Sequence, residues 1–215
     1  MNFDYIFKCV VIGDSGTGKS SICEAFFNDQ LNSLNRPTIG ADYFTKIIPI
    51  QKHYIKVQFW DTCGNELYHS VARSYYQGSH VILLVYDISS RKSFENIQKW
   101  LADIRYSCDS DVVVMLVGNK NDLPPSTRQV SYNEGKEFAD ANHFLFYETS
   151  AKTGIHVKEM IMSVIETCYL KFVQYMTVYT KVSVPLSPTT KSNNKNINNN
   201  KNEDTVTLCT SCLTM

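Results

Sequence analysis

Residues 13–20 read Gly13-Asp14-Ser15-Gly16-Thr17-Gly18-Lys19-Ser20, which fits the pattern G-x-x-x-x-G-K-[ST] at every fixed position. An apolar run at 7–12 precedes this stretch, and an apolar helix pattern follows it. The glycines let successive backbone N–H groups turn toward one anion, and a helix N-terminus adds partial positive charge. The stretch therefore predicts a phosphate-binding loop, in which Lys19 reaches the β- and γ-phosphates and the Ser20 hydroxyl binds Mg²⁺. The alternative is a glycine-rich turn that only permits close packing, and the loop alone does not distinguish ATP from GTP.

Strand-like and helix-like patterns alternate around this loop. Strand candidates lie at 7–12, 43–50, 54–61, 80–87, 112–118 and 144–148, and helix candidates lie at 19–27, 67–76, 93–106, 132–142 and 156–175. A short turn around Gln51-Lys52 separates the second and third strands, which predicts an antiparallel hairpin. We therefore expect an α/β fold with a six-stranded, mostly parallel sheet, one antiparallel hairpin strand and helices on both faces. Its ligand is expected at the carboxyl ends of the strands.

The composition divides the chain near residue 182 and excludes some functions. The 215 residues carry 21 Lys and Arg against 21 Asp and Glu, and zero net charge argues against binding of a nucleic-acid backbone. All aromatic residues and glycines precede residue 183, and Asn fills seven of the ten positions 193–202. We therefore expect one domain at 1–180 and a disordered, Asn-rich tail at 181–215. No window approaches the roughly 18 apolar residues of a membrane span, and the N-terminus lacks a secretory pattern, so the domain is expected to be cytosolic.

A second motif follows the third strand candidate, where the sheet delivers residues to the phosphates. Residues 60–66 read WDTCGNE. Asp61 is expected to hold a water of Mg²⁺, and Gly64 is expected to offer an unhindered backbone N–H to the γ-phosphate. The pattern D-x-x-G is common at turns, and it gains meaning here from its position after the phosphate loop.

Two more motifs end the fifth and sixth strand candidates, NKND at 119–122 and TSAK at 149–152. A carboxylate such as Asp122 accepts hydrogen bonds from both the ring N1–H and the exocyclic amine of guanine, a donor pair that adenine lacks. The stems of Lys120 and Lys152 are expected to cover the faces of the ring. Two ordinary turns are the alternative, because Asn, Asp and Ser favour turns. Following a phosphate loop in this order, the motifs favour a guanine nucleotide.

Over roughly residues 5–175 the chain resembles the Ras superfamily of small GTPases, and the Rab family within it. The resemblance rests on GDSGTGKS at 13–20, PTIGADY at 37–43, WDTCGNE at 60–66, SYYQG at 74–78, NKND at 119–122 and SAK at 150–152. It implies the small G-domain fold, GTP and GDP as ligands, Mg²⁺ as cofactor, and hydrolysis of GTP to GDP and phosphate.

The resemblance also implies roles for individual residues. Thr38 would join Ser20 and Asp61 at Mg²⁺, and the catalytic set would be Asn65, Lys19 and Thr38. The implied nucleotide-binding set comprises Ser15, Gly16, Thr17, Gly18, Lys19, Ser20, Ser21, Pro37, Thr38, Gly64, Asn119, Lys120, Asp122, Ser150, Ala151 and Lys152. Switch I (about 36–44) and switch II (about 64–76) would lose order on hydrolysis. Through them the chain would bind an exchange factor, a GTPase-activating protein, a GDP-dissociation inhibitor and effectors.

Asn65 departs from the family, because most relatives carry there the Gln that orients the attacking water. Asn keeps the carboxamide but loses about 1 Å of reach, and a misplacement of that size costs about a hundredfold in rate. The sequence therefore predicts slow intrinsic hydrolysis. One alternative is a neutral replacement, with a partner supplying the Gln, and another is a GTP-bound scaffold with negligible turnover. A P-loop kinase or ATPase is disfavoured by the motifs at 119–122 and 150–152.

Other departures concern the nucleotide and the partners. Leu31 stands where relatives usually place an aromatic residue over guanine, and Asn35 replaces a customary Tyr, which predicts faster nucleotide exchange with binding retained. Leu67 and Gln77 replace basic residues often seen in Rab proteins, so the sequence does not specify the effectors.

The chain ends Cys212-Leu213-Thr214-Met215, a pattern typical of farnesylation. One lipid binds a membrane only marginally, so we expect Cys209 to carry a second lipid. With the Rab resemblance, this predicts a regulator of vesicle trafficking that lies on the cytoplasmic face of endomembranes and cycles with the cytosol. The sequence does not identify the membrane compartment.

Overall fold

The structure is a computed structural model that describes residues 2–28, 38, 40–64, 75–108 and 110–182. Its strands are β1 (Tyr5–Ile12), β2 (Ala41–Ile50), β3 (His53–Thr62), β4 (Val81–Asp87), β5 (Val113–Asn119) and β6 (Leu145–Glu148). Its helices are α1 (Lys19–Asn28), α2 (Arg91–Glu95), α3 (Ile97–Ser107), α4 (Tyr132–Ala141) and α5 (Val157–Val182), and Pro125–Thr127 form a 3₁₀ turn.

The six strands form one sheet in the order β2-β3-β1-β4-β5-β6. The β2–β3 pair is antiparallel, and the other four pairs are parallel. The predicted fold class is thus confirmed, including the single antiparallel hairpin strand. From β1 the chain passes to β2 at the edge of the sheet, comes back through β3 beside β1, and then places β4 on the other side of β1. A crevice at the carboxyl ends of β1 and β4 is the usual ligand position in such a sheet.

Helices cover both faces of the sheet because side chains of each strand alternate in direction. On one face, Val11 of β1 packs in a buried cluster with Ile22 of α1 and Ile161 of α5. On the other face, Ile12 packs in a second cluster with Trp100 of α3. Both faces are therefore apolar, which explains why β4 and β5 read as nearly continuous apolar runs.

The predicted helix at 93–106 forms two helices, α2 and α3, with Asn96 between them. Ser90 caps α2 by accepting a hydrogen bond from the Ser93 backbone N–H. Asn96 keeps helical dihedral angles, with φ −69° and ψ −13°, so the apolar stripe continues from one helix to the next. The interruption therefore changes the hydrogen bonding more than the direction of the chain. The Asn96 side chain reaches the phosphate loop, where it donates to Asp14.

Helix α5 has 26 residues and ends at Val182, seven residues beyond its predicted end. Of the predicted helix at 67–76, only the last two residues are described, and they are helical. The predicted tail lies outside the described residues from 183 onward, so the expected domain boundary stays a prediction. Within the described ranges, the helices are too short or too polar to span a membrane.

Candidate functional site

The motif at 13–20 lies between the carboxyl end of β1 and the N-terminus of α1, as the sequence predicts. Two of its glycines have positive φ and no room for a side chain. A Cβ on Gly13 (φ 139°) would lie 2.1 Å from the Val85 carbonyl oxygen, and one on Gly18 (φ 94°) would lie 2.2 Å from Asn119 Nδ2. The loop is therefore pressed against the ends of β4 and β5, and substitution of either glycine would displace it.

Lys19 is buried, with 5% of its surface exposed, at the first residue of α1. Its Nζ donates hydrogen bonds to the backbone carbonyls of Gly13 (2.9 Å) and Asp14 (2.8 Å). Burial lowers the pKa of Lys19, and the nearby carboxylates of Asp61 and Asp14 oppose that shift. The ammonium thus lies over the loop, within a desolvated site that favours an anion beside it.

Three side-chain oxygens converge next to the loop. Ser20 Oγ lies 2.8 Å from Thr38 Oγ1 and donates a 2.5 Å hydrogen bond to Asp61 Oδ2, and Thr38 Oγ1 lies 3.4 Å from the same carboxylate oxygen. Asp61 is fully buried, and its Oδ1 has no hydrogen-bond partner among the described residues. Burial raises the pKa of Asp61, although the Ser20 hydroxyl and Lys19 act in the opposite direction.

This oxygen cluster fits a magnesium ion, because Mg²⁺ prefers hard oxygen ligands and few carboxylates. A cation beside Asp61 would compensate the charge that burial destabilises, and it would explain the carboxylate oxygen left without a partner. The three residues are those that the sequence analysis expects at the metal: Ser20, Thr38 and Asp61.

Gly64 connects the second motif to the phosphate loop. A Cβ at this position would lie 2.4 Å from the Ser15 backbone nitrogen and 2.5 Å from Lys19 Nζ. The backbone of Gly64 therefore packs directly on the loop, and any side chain there would separate the two. The neighbouring Cys63 N–H donates to the Gly40 carbonyl at 2.9 Å, which ties the end of β3 to the start of β2.

Asn119, at the end of β5, joins the third and fourth motifs to the phosphate loop. Its Nδ2 donates to the Thr17 carbonyl (2.9 Å), and its Oδ1 accepts from the Ala151 N–H (3.1 Å) and the Thr149 hydroxyl (3.3 Å). Only 1% of the residue is exposed. Three loops from distant parts of the sequence are therefore held at fixed separations by one amide.

The residues predicted to bind guanine lie together beyond Asn119. Ser150 Oγ donates to Asp122 Oδ1 at 2.6 Å, and Lys152 Nζ lies 3.9 Å from Asp122 Oδ2. Lys120 Nζ lies 2.6 Å from Asp87 Oδ2 instead. The Asp122 carboxylate is thus contacted by the loop at 149–152, so the third and fourth motifs meet at this residue.

Sequence reasoning missed Asp87 as a member of the site. Burial raises the pKa of Asp87, but hydrogen bonds from Lys120 and Ser89 outweigh that effect, so the pKa lies below its ordinary value. The sequence does carry a signal for Asp87, because an acidic residue there ends a buried apolar strand at the carboxyl edge of the sheet. Asp14 is the second omission, and its side chain bonds to Asn96 and Trp100.

An open cavity of about 510 Å³ adjoins the phosphate loop. It is lined by Asp14, Ser15, Gly16, Thr17, Gly64, Asp87, Ser90, Lys92, Ser93 and Asn96. Of the other predicted residues, Ser21 is half-buried in α1. Seven of the residues singled out in the sequence lie outside the described residues, namely Leu31, Asn35, Pro37, Asn65, Leu67, Cys209 and Cys212. Positions 36, 37 and 39 of predicted switch I and 65–74 of predicted switch II lie outside them too.

Comparison with known proteins gives consistent matches. A model of the Ras family matches residues 8–170. Ras-related protein RGP2 of Oryza sativa subsp. japonica is 42% identical over 167 residues, which are 78% of this chain and 76% of the relative. Ras-related protein Rab-4A of Rattus norvegicus is 42% identical over 160 residues (74% and 73%). GTP-binding protein ypt3 of Schizosaccharomyces pombe is 42% identical over 163 residues (76% of each).

We expect Asp61→Asn to stabilise the nucleotide-free protein in the absence of Mg²⁺. The pKa of Asp61 is higher in the folded protein than in the unfolded chain, where it is near 3.8. The wild type therefore loses stability as the pH rises from the unfolded-state pKa through the folded-state pKa, because the buried carboxyl group becomes charged. The free energy of unfolding of the variant should exceed that of the wild type by on the order of 1 kcal/mol at pH 7. The excess should vanish near pH 4 in urea denaturation curves.

In millimolar Mg²⁺ the wild type should become more stable than Asp61→Asn. The cation compensates the charge of the Asp61 carboxylate, whereas it binds a neutral amide more weakly. Glu137→Gln, which removes an exposed carboxylate on α4, is the matched control, and its stability relative to the wild type should not be reversed by Mg²⁺. A variant that is less stable than the wild type throughout pH 4–8 would contradict the expectation.

Proposed function

This chain belongs to the Ras family of small GTPases, and from that premise we propose that it is a Rab-type switch that binds GTP and GDP, hydrolyses GTP and regulates intracellular vesicle trafficking. The observation that carries the proposal is the Asn119 side chain, which bonds the phosphate loop at Thr17 and the opposite loop at Ala151. A base-binding region and a phosphate-binding region are thereby joined at a fixed distance. The Rab and Ypt names of the relatives support the trafficking role.

At the phosphate end, we assign the binding of the nucleotide phosphates to the backbone N–H groups at 15–20 and to Lys19. The Lys19 ammonium would exchange its two carbonyl partners for phosphate oxygens, a stronger interaction because both partners are charged. Ser20, Thr38 and Asp61 would hold Mg²⁺, which supplies positive charge against the charge of the phosphates. Gly64, packed on the loop, would donate its backbone N–H to the γ-phosphate.

At the base end, we assign guanine recognition to Asp122. The hydrogen bond from Ser150 holds one carboxylate oxygen in place, and the other oxygen faces Lys152 at 3.9 Å. A carboxylate fixed in this way accepts from the N1–H and exocyclic amine of guanine. The stems of Lys120 and Lys152 would cover the ring.

Asp122→Asn is expected to change base preference from guanine toward xanthine. The amide can donate to the 2-oxo group of xanthine, whereas it cannot accept both guanine donors as the carboxylate does. The ratio of GDP to XDP affinity should fall by about a hundredfold or more in competition with a fluorescent nucleotide. Asn121→Ala is the matched control in the same loop, because the Asn121 side chain faces Arg128. An unchanged ratio in Asp122→Asn would remove the guanine assignment.

We also propose that intrinsic hydrolysis is slow, since Asn65 positions the attacking water less well than a Gln would. A GTP-bound scaffold with negligible turnover is the second candidate function, and the same residue favours it. The nucleotide that copurifies with the native protein distinguishes the two. GDP, or GTP that decays during storage, supports a slow enzyme, whereas persistent GTP supports the scaffold.

Asn65→Gln should accelerate single-turnover GTP cleavage by about tenfold to a hundredfold, because it restores about 1 Å of reach toward the water. The measurement is phosphate release from preloaded protein without any partner. Asn65→Ala serves as the control and should be no faster than the wild type. If Asn65→Gln leaves the rate unchanged, the explanation of slow hydrolysis through this residue fails.

The partners and location follow the family. We propose that switch I (about 36–44) and switch II (about 64–76) bind an exchange factor, a GTPase-activating protein, a GDP-dissociation inhibitor and effectors. We further propose that Cys212 carries a prenyl group, with Cys209 as a second lipid site, and that the tail holds the domain on the cytoplasmic face of endomembranes. Residues 183–215 contribute a net charge of only about +1, so electrostatic attraction to anionic lipid adds little.

Mass spectrometry of the native protein is expected to show a prenylated C-terminal peptide. Cys212→Ser should move most of the protein from the membrane pellet to the soluble fraction, because the first lipid is lost. Cys209→Ser, the paired variant, should cause a smaller shift. An intact, unmodified C-terminus on membrane-bound native protein would exclude lipid anchoring at these cysteines.

A further inference from the structure

A carboxylate lies inside the phosphate-binding loop, where its charge is unfavourable for an anion. It belongs to Asp14, the second residue of the motif at 13–20. Both of its oxygens accept hydrogen bonds from outside the loop. Asn96 Nδ2 donates to Oδ2 at 2.7 Å, and Trp100 Nε1 donates to Oδ1 at 2.8 Å.

The two donors are themselves held firmly by the fold. Trp100, in the first turn of α3, has 3% of its surface exposed and packs in the apolar cluster beneath that face of the sheet. Asn96, between α2 and α3, has 7% exposed, and its backbone N–H donates to the Lys92 carbonyl at 3.0 Å. The loop residue is therefore bonded to a rigid part of the molecule, more than eighty positions away in the sequence.

The backbone of Asp14 also orders the rest of the loop. Its carbonyl accepts from Lys19 Nζ (2.8 Å) and from the Thr17 hydroxyl (2.9 Å). Any displacement of Asp14 would therefore move the partners of the lysine predicted to bind phosphate. The side-chain bonds to α3 and the backbone bonds within the loop act on the same residue.

We propose that Asn96 and Trp100 are positioning residues for nucleotide binding, which hold the Asp14 carboxylate toward α3 and away from the phosphates. This inference rests on the proposed binding of a guanine nucleotide. With the donors in place, the Asp14 charge is partly compensated by two hydrogen bonds, and the loop keeps its shape. Without them, the carboxylate is free to rotate toward the phosphates and repel them. The position of α3 is then coupled to nucleotide retention.

The first experiment measures GDP dissociation from the full-length protein in the presence of Mg²⁺. Trp100→Phe removes the indole donor but keeps an aromatic ring in the core, and Asn96→Ala removes the amide donor. Each should increase the dissociation rate by about tenfold, the scale of a lost hydrogen bond to a charged group. Raising the salt concentration to about 1 M should reduce the increase, because charge repulsion near the surface is screened.

A double-mutant cycle with Asp14→Ala separates positioning from packing. Without the carboxylate, Trp100→Phe should change the GDP dissociation rate by less than about twofold. Ile104→Val is the matched control, since Ile104 lies in the same cluster on the same helix and does not contact Asp14 through a hydrogen bond. If Trp100→Phe accelerates dissociation equally with and without the Asp14 carboxylate, Trp100 acts through packing alone and the inference is wrong.

A second measurement tests, without nucleotide, whether Asn96 and Trp100 order the loop at 13–20. Deuterium exchange of the peptide covering 13–20 should become faster in nucleotide-free Trp100→Phe and Asn96→Ala, and it should stay unchanged in Ile104→Val. Unchanged exchange in the first two variants would overturn the inference. A wild type that retains no GDP would refute the proposed function, while the exchange rates would still test the bonds to Asp14.

Discussion

The Asn119 amide determines the geometry on which the rest of the site depends. Its donor reaches the loop after β1, and its acceptor receives hydrogen bonds from the loop after β6. A buried amide loses stability if any of these bonds is missing, because no water replaces the partner. The Asn119 hydrogen bonds therefore stabilise one arrangement of the two loops over the alternatives. Gly18 is part of the same constraint, since only a residue without a side chain leaves room for Asn119 Nδ2.

Buried charges give the site its preference for ligands. Lys19 is held in surroundings that lower its pKa, and Asp61 in surroundings that raise its pKa. Each residue therefore favours a neutral form more than it would in water, and a ligand of opposite charge would reverse that preference. In the function we propose, a phosphate beside Lys19 and a cation beside Asp61 would do so together.

Much of this site could be predicted from the sequence, because its motifs combine a local pattern with a position after a strand. Glycine is favoured at 13 and 18 because both positions have positive φ, a requirement that belongs to the turn itself. The side-chain bonds of Asp14 were not predictable, since Asn96 and Trp100 read as ordinary members of an amphipathic helix. The same is true of Asp87, whose partner Lys120 has a recognised motif of its own. Contacts between residues that are distant in the chain depend on the packing angle of α3 and on strand register, which the pattern does not specify.

Helix α5 runs from the loop at 149–152 toward the opposite edge of the sheet. It begins next to the loop of Ser150 and runs back across the sheet, so that Cys168 lies 3.9 Å from the His80 carbonyl at the start of β4. The helix continues to Val182, about 21 Å beyond Cys168 at 1.5 Å per residue. If lipids are attached after Val182 as we propose, the attachment follows the end of α5 that lies farther from the Ser150 loop.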